Sequence, residues 1–158
     1  MIQITEHAIY QKGLIIKDSQ IHGLQHLKNV ERFGLIMANR NGADKMLVSL
    51  FAYLHDARRH TDNDDPDHGK RAALLLDELL EEDVFTLSKI QRMNLAHALA
   101  WHNSFEAKSH DITVQTCWDA DRLDLWRAGI EPNPKFMFTD VGRSSEMIEY
   151  AKSLHHCI

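Results

Sequence analysis

The stretch Met46-Leu-Val-Ser-Leu-Phe-Ala-Tyr-Leu54, followed at once by His55-Asp56, constrains this chain more than any other. Leu47, Val48, Leu50, Phe51, Ala52 and Leu54 cover nearly every side of a helix read from about Ala43 to Ala57. A helix that is apolar all round has no face to give to water and belongs at the centre of a fold. At its end stand an imidazole and a carboxylate, both costly to bury unless they find partners. The fold must therefore surround this helix and bring polar groups to one end of it.

The remaining sequence supplies helices for that purpose. Ser19 reads as the N-cap of a helix to about Asn39, with His22, His26, Val30, Phe33 and Met37 on one face at three- and four-residue steps. Asn41-Gly42 ends it. Asp65-Pro66 reads as an N-cap with Pro at the first helical position, opening a helix through Leu80. Further helices are expected from near Thr86 to about Asn103, from Ile112 to Ala128 and from Ser144 to Leu154, whereas "GIEPNPKFMFTDVG" reads as a loop by its Pro and Gly content. With seven Gly and three Pro there is little room for a turn-rich β architecture. No repeat, low-complexity tract or long linker divides the chain. The expected fold is one all-α domain over 1–158, a bundle of five to seven helices, with its core at about 19–128 and a C-terminal helix at about 144–154.

Bulk properties remove several function classes. A formal charge of −5 argues against a nucleic-acid scaffold, which needs a basic face. No run of about 18 apolar residues occurs, and Met1-Ile-Gln-Ile-Thr-Glu-His lacks a basic segment followed by an apolar one, so neither membrane spanning nor secretion is expected. Cys117 and Cys157 are too few for a disulfide framework, which makes a reducing cytoplasm the expected compartment.

The anomaly is histidine, eleven of them in one small acidic chain. Separated fragments place metal-capable side chains on helix faces or ends: "HGLQH" (His22, His26), "HD" (His55, Asp56), "DPDHG" (His68), "AWHN" (His102) and "DADRLD" (Asp119, Asp121, Asp124). A hydrolytic metal centre needs imidazole nitrogen and carboxylate oxygen, and bundles build such centres from facing helices. Asp119 and Asp121 point about 200° apart on a helix and cannot both serve one site. Asp124 stands on Asp121's side and is placed to orient a ligand histidine or an arginine. The acidic loop "DNDDPDHG" has no Gly at the sixth position of a calcium loop in either register tried. Cys117, among hard oxygen and imidazole partners, reads as a small core residue. His7, His60, His110, His155 and His156 carry no pattern and read as surface.

The order His, then His-Asp, then a late Asp in "ADRL" resembles the HD-domain superfamily of metal-dependent phosphohydrolases, over about residues 19 to 128. That resemblance implies an HD-domain helical bundle with His26, His55, Asp56 and Asp121 as metal ligands. The two-metal branch of the family adds two histidines between the pair and the last Asp; His68 and His102 resemble those positions, with Asp56 as the bridging carboxylate. His97 competes with His102, which is preferred because it ends its helix. His22 is assigned a supporting place behind His26. One or two divalent ions are implied, and imidazole with carboxylate suits Mn, Fe, Co, Ni or Zn, with Mg also among the candidates.

The implied activity is hydrolysis of a nucleotide or other small phosphate ester, with a metal-activated water as nucleophile. Arg58, Arg59, Lys70, Arg71 and Arg122 stand beside these ligands in sequence, and Arg59 and Lys70 are the expected phosphate contacts. Lys28 points to another face of its helix. The family also implies alternatives: a di-iron oxygenase using the same six ligands, or a non-catalytic metal- or nucleotide-binding module. No nucleic acid and no membrane are expected as partners, and oligomeric state is not legible.

Overall fold

Every residue from Leu47 to Leu54 is buried, in a helix (α2) spanning Lys45–Leu54. Around it the computed structural model, which describes Ile16 and residues 18–155, places α1 (Leu24–Asn41), α3 (His68–Glu81), α4 (Lys89–Trp101), α5 (Ile112–Leu123) and α6 (Ser145–Ser153). Two 3-10 turns, Asp124–Ala128 and Pro134–Phe136, follow α5. No strand occurs among the described residues, and none of their helices is long and apolar enough to cross a membrane. His7, His156 and Cys157 lie outside the described residues.

The architecture is an all-α bundle. α1 lies along α2 and α5, α3 packs on α4, and α4 closes against α2 and α5, leaving α6 to rest on α5. Phe33 and Met37 of α1, Phe51 and Leu54 of α2, Leu75 and Leu79 of α3, Leu95 and Leu99 of α4 and Trp118 of α5 fill the space between them. Gly34 sits where a Cβ would run into the Val48 side chain, which lets α1 and α2 approach closely.

Helix starts follow side-chain caps. Asp44 accepts from the backbone N–H of Met46 and Leu47, Asp111 from Thr113 and Val114, and Ser144 from Met147. Ser88 and Gln91 close a reciprocal capping box at α4. α1 begins later than Ser19 predicts. The Ser19 hydroxyl instead accepts from the N–H groups of Ile21 and His22 and closes a separate turn. Gly23 is extended, and the helix starts at Leu24.

Asp119, fully buried, accepts from the N–H groups of Phe138 and Thr139 and from the Thr139 hydroxyl. Burial raises its pKa, and those three donors pull the other way. Its carboxylate thereby fixes the loop that follows Ile130, on the side of α5 away from Asp121.

Candidate metal centre

The two polar residues at the end of α2 find their partners in four other segments. His55 ends α2 and Asp56 lies in the turn after it; His26 comes from the second residue pair of α1, His68 opens α3, His102 closes α4 and Asp121 lies on α5. His26, His55, Asp56, His68 and His102 are buried.

Two donor groups form around one carboxylate. His26 Nε2 lies 3.0 Å from His55 Nε2 and 3.3 Å from Asp121 Oδ1, and both ring nitrogens lie 3.6 Å from Asp56 Oδ2. The other oxygen, Asp56 Oδ1, faces His68 Nε2 at 3.2 Å and His102 Nε2 at 3.6 Å, and those two nitrogens are 2.8 Å apart. Two ligands of one ion, each about 2.1 Å from it, stand about 3.0 to 3.4 Å apart in octahedral or tetrahedral arrangements. These separations fit that pattern. The donor set of imidazole and carboxylate suits a divalent ion, and His26, His55 and Asp56 form one group, Asp56, His68 and His102 another, that could each hold one.

The rings are aimed by what holds their other nitrogens. His55 Nδ1 lies 3.0 Å from the Ala52 carbonyl, and His102 Nδ1 lies 2.8 Å from that of Leu99. His68 Nδ1 meets the Asp65 carbonyl, and His26 Nδ1 lies 2.8 Å from Asp124 Oδ2. Each anchor accepts the Nδ1 proton, which leaves Nε2 bare and pointing inward. Asp124, fully buried, is itself held by Asn29 Nδ2 at 3.0 Å and His155 Nε2 at 2.9 Å. Asp124 thus has the orienting place that its spacing predicts. His155, read as a surface residue, is instead half-buried against that carboxylate.

Burial alone would raise the pKa of both central carboxylates. The surrounding imidazoles win: Asp56 is held well below the carboxylate range by His55, His102, His68 and His26, and Asp121 by His26 and His55. The imidazoles divide. Burial lowers the pKa of His102, whereas for His55 the Asp56 and Asp121 carboxylates overcome the burial penalty and raise it. In the metal-free protein the stabilisation carried by protonated His55 is full below its unfolded pKa and is lost as pH rises through its raised folded value. The contribution of Asp56 and Asp121 runs oppositely, present above the unfolded carboxylate pKa and lost as pH falls through their depressed values. A metal therefore competes with a proton more strongly at His55 than at His102. Metal titration calorimetry in two buffers of different ionisation enthalpy should show proton release from the His26–His55 half and affinity there falling as pH falls. Metal affinity at that half that does not change with pH would contradict this assignment.

The structure sorts the remaining sequence candidates. Arg59 reaches the site: its Nη1 is 4.0 Å from Asp56 Oδ1 and 3.0 Å from His68 Nδ1, while Nη2 donates to the Asn63 carbonyl. Lys70 does not; it is exposed and pairs with Asp67, because two residues along a helix from His68 it points away. Arg58 pairs with Glu78 and Arg71 with Asp65, and Arg122 donates to the Phe136 carbonyl with its guanidinium over the Phe138 ring. His22 stands edge-on to His26, 6.3 Å between ring centres, with Nδ1 2.8 Å from Asp62 Oδ1. His97 lies against Trp118 and the Lys108 carbonyl, outside the cluster that contains His102. Cys117 is buried, and burial pushes its thiol well above the ordinary range.

One charged side chain beside the cluster is absent from the sequence candidates. Arg127, in the 3-10 turn after α5, donates from Nε to the Ile21 carbonyl at 2.7 Å and sets Nη2 3.8 Å from Asp121 Oδ1. Its Nη1 is buried with no hydrogen-bond partner among the described residues.

No curated protein matches this chain. The fold superposes on a crystal structure of a predicted HD superfamily hydrolase from an uncultured Thermotogales bacterium, with a TM-score of 0.70 over 96% of this chain and 84% of that one. At 24% identity that likeness is one of fold. The model of the HD domain matches residues 23–126, a span that takes in His26, the His55-Asp56 pair, both added histidines and Asp121. A helix buried at every position from Leu47 to Leu54, ending in the His-Asp pair around which these residues gather, is thus the centre of a chain that belongs to the HD-domain family.

Proposed function

We propose that the protein is a metal-dependent phosphohydrolase acting on a nucleotide or other small phosphate ester. The observation that carries this reading is a divided carboxylate beside uncommitted guanidinium groups. Asp56 gives one oxygen to each pair of histidines, while Arg59 and Arg127 flank Asp56 and Asp121 with buried N–H groups, Nε and Nη1, that no described residue accepts. When bound, divalent ions at such a site supply a water that is deprotonated at neutral pH and neutralise charge on phosphoryl oxygens.

The chain's own residues bind and orient. Beside burial, both guanidinium charges lower the pKa of His22, so both lie within electrostatic reach of that edge of the site. A phosphate on that edge satisfies buried donors whose isolation costs about 1–3 kcal/mol each. Ile21 and Asn63 carbonyls hold the two forks in place, so they need little reordering to grip an anion. The orienting bonds from Asp124, Ala52, Leu99 and Asp65 keep four imidazoles in the one tautomer that can ligate.

The test is phosphate release from a panel of nucleotides and sugar phosphates, run with and without air on metal-loaded protein. Release without O₂ supports the reading. Turnover that demands O₂ would replace it with the di-iron oxygenase chemistry, and metal uptake with no turnover on any substrate would leave a binding module. Within that assay Arg127→Ala should lower kcat/KM about 10- to 100-fold with metal content unchanged, the range of a lost charged hydrogen bond. Lys70→Ala should leave it untouched. A metal-analysed Arg127→Ala protein with full kcat/KM would remove Arg127 from the site.

A further inference from the structure

A cleft leads outward from the metal centre. His102 and Asp121 line it together with Leu125, Met137, Phe105 and Phe136. It offers about 180 Å³ to a bound group and opens to solvent. Imidazole and carboxylate of the candidate metal centre thus share one cleft with apolar side chains, Asn103 and Asn133 also lining it.

The two phenylalanines contribute little to the fold. Phe105 is 91% exposed and Phe136 60%, so neither ring draws much stability from burial. Their backbones are nonetheless fixed. Phe105 follows a turn closed by Ser104 N–H donating to the Trp101 carbonyl, directly beyond His102. Phe136 closes a 3-10 turn capped by Asn133, its carbonyl is taken by Arg122, and the next residues are held by Asp119. Arg122 is committed to this wall by its position over Phe138. Two rings in water, on pinned backbone, thus line one cleft with His102 and Asp121 of the candidate metal centre.

We propose that this cleft receives the organic part of the substrate and that Phe105 and Phe136 select phosphate esters carrying a flat aromatic ring over alkyl esters of the same charge. The proposal rests on the phosphohydrolase reading, because the metal centre sets where the phosphate lies. A ring fits beside them since aromatic faces stack on Phe side chains at small entropic cost, such stacking being worth about tenfold in affinity for a single small ring.

The experiment uses two phosphonates that cannot be hydrolysed, phenylphosphonate and propylphosphonate, titrated calorimetrically into metal-loaded protein. Phenylphosphonate should bind about tenfold more tightly. In Phe105→Ala/Phe136→Ala protein that preference should vanish while propylphosphonate affinity stays the same; both side chains are exposed, so the fold is not at risk. A Phe105→Trp variant should keep the preference. Equal binding of the two phosphonates by the unaltered protein would overturn the proposal while leaving the phosphohydrolase reading intact. So would a preference that survives the double substitution. Binding of neither phosphonate, with metal present, would instead fail the phosphohydrolase reading and with it the proposal.

Discussion

Asp56→Ala protein should hold neither ion and turn over at the uncatalysed background, while its circular dichroism stays that of a helical bundle. No other ligand has this double consequence. Asp56 Oδ2 completes the His26–His55 group and Asp56 Oδ1 completes the His68–His102 group. Changes to residues that merely orient ligands cost about 10- to 100-fold in metal affinity, and loss of a shared ligand should exceed that at both places. Asp56→Asn is the companion variant, since it keeps the volume and one oxygen but removes the charge. Metal analysis after gel filtration decides the matter. An Asp56→Ala protein that keeps a full complement of metal, or its turnover, would place the chemistry elsewhere in the chain.

The second large effect is expected at Gly69, which is not a ligand. A Cβ there would stand 2.6 Å from the Leu99 carbonyl oxygen and 3.0 Å from that of Ala100, both backbone atoms at the end of α4. Only a residue without a side chain lets the first turn of α3 press against that end, and this contact sets His68 Nε2 2.8 Å from His102 Nε2. Gly69→Ala should force the two helices apart at a cost of about 1–3 kcal/mol, as overpacked cores show. The His68–His102 half should lose its ion while the His26–His55 half keeps one. If both places fill in the unaltered protein, metal stoichiometry should fall from two toward one, with a lower melting temperature. Full stoichiometry in Gly69→Ala protein would show that the helices can part without opening the site.

Much of this was legible in the sequence, for physical reasons that differ by residue. The centrality of α2 followed from its lack of a polar face, and the side of α5 that carries Asp121 and Asp124 followed from helical spacing. The six residues expected as ligands converge in space, though spacing alone could not show that five helices would bring them together. Helix starts were less legible. Ser19 was expected to cap α1, but its hydroxyl closes a turn of its own, and the caps at Asp44, Ser88 and Asp111 passed unread although "SKIQ" carried a capping box.

Lys70 shows a rule set aside. It stands two residues from His68, and side chains at that spacing do not share a helix face. Arg127 shows a different limit. Continued as an α-helix, the stretch through Ala128 would put Arg127 about 240° round from Asp121. The backbone tightens to a 3-10 turn at Asp124, where residues three apart eclipse, so Arg127 stays on the face of Asp124 and Asp121. No periodicity in the residues announces that change of pitch.

The anchors behind the imidazoles have a consequence for the order in which the molecule assembles. His55 and His102 lean on carbonyls of their own helices and His68 on a carbonyl three residues before it, so all three are aimed as soon as local structure forms. His68 and His102 are 34 residues apart, whereas His26 and the carboxylate that aims it are 98 apart, so the first closure costs less loop entropy. His26 depends on Asp124, which the chain reaches only at the end of α5, and Asp124 depends in turn on His155. The half of the centre around His68 and His102 is therefore a product of short-range folding. The half around His26 and His55 is complete only when distant parts of the chain have docked.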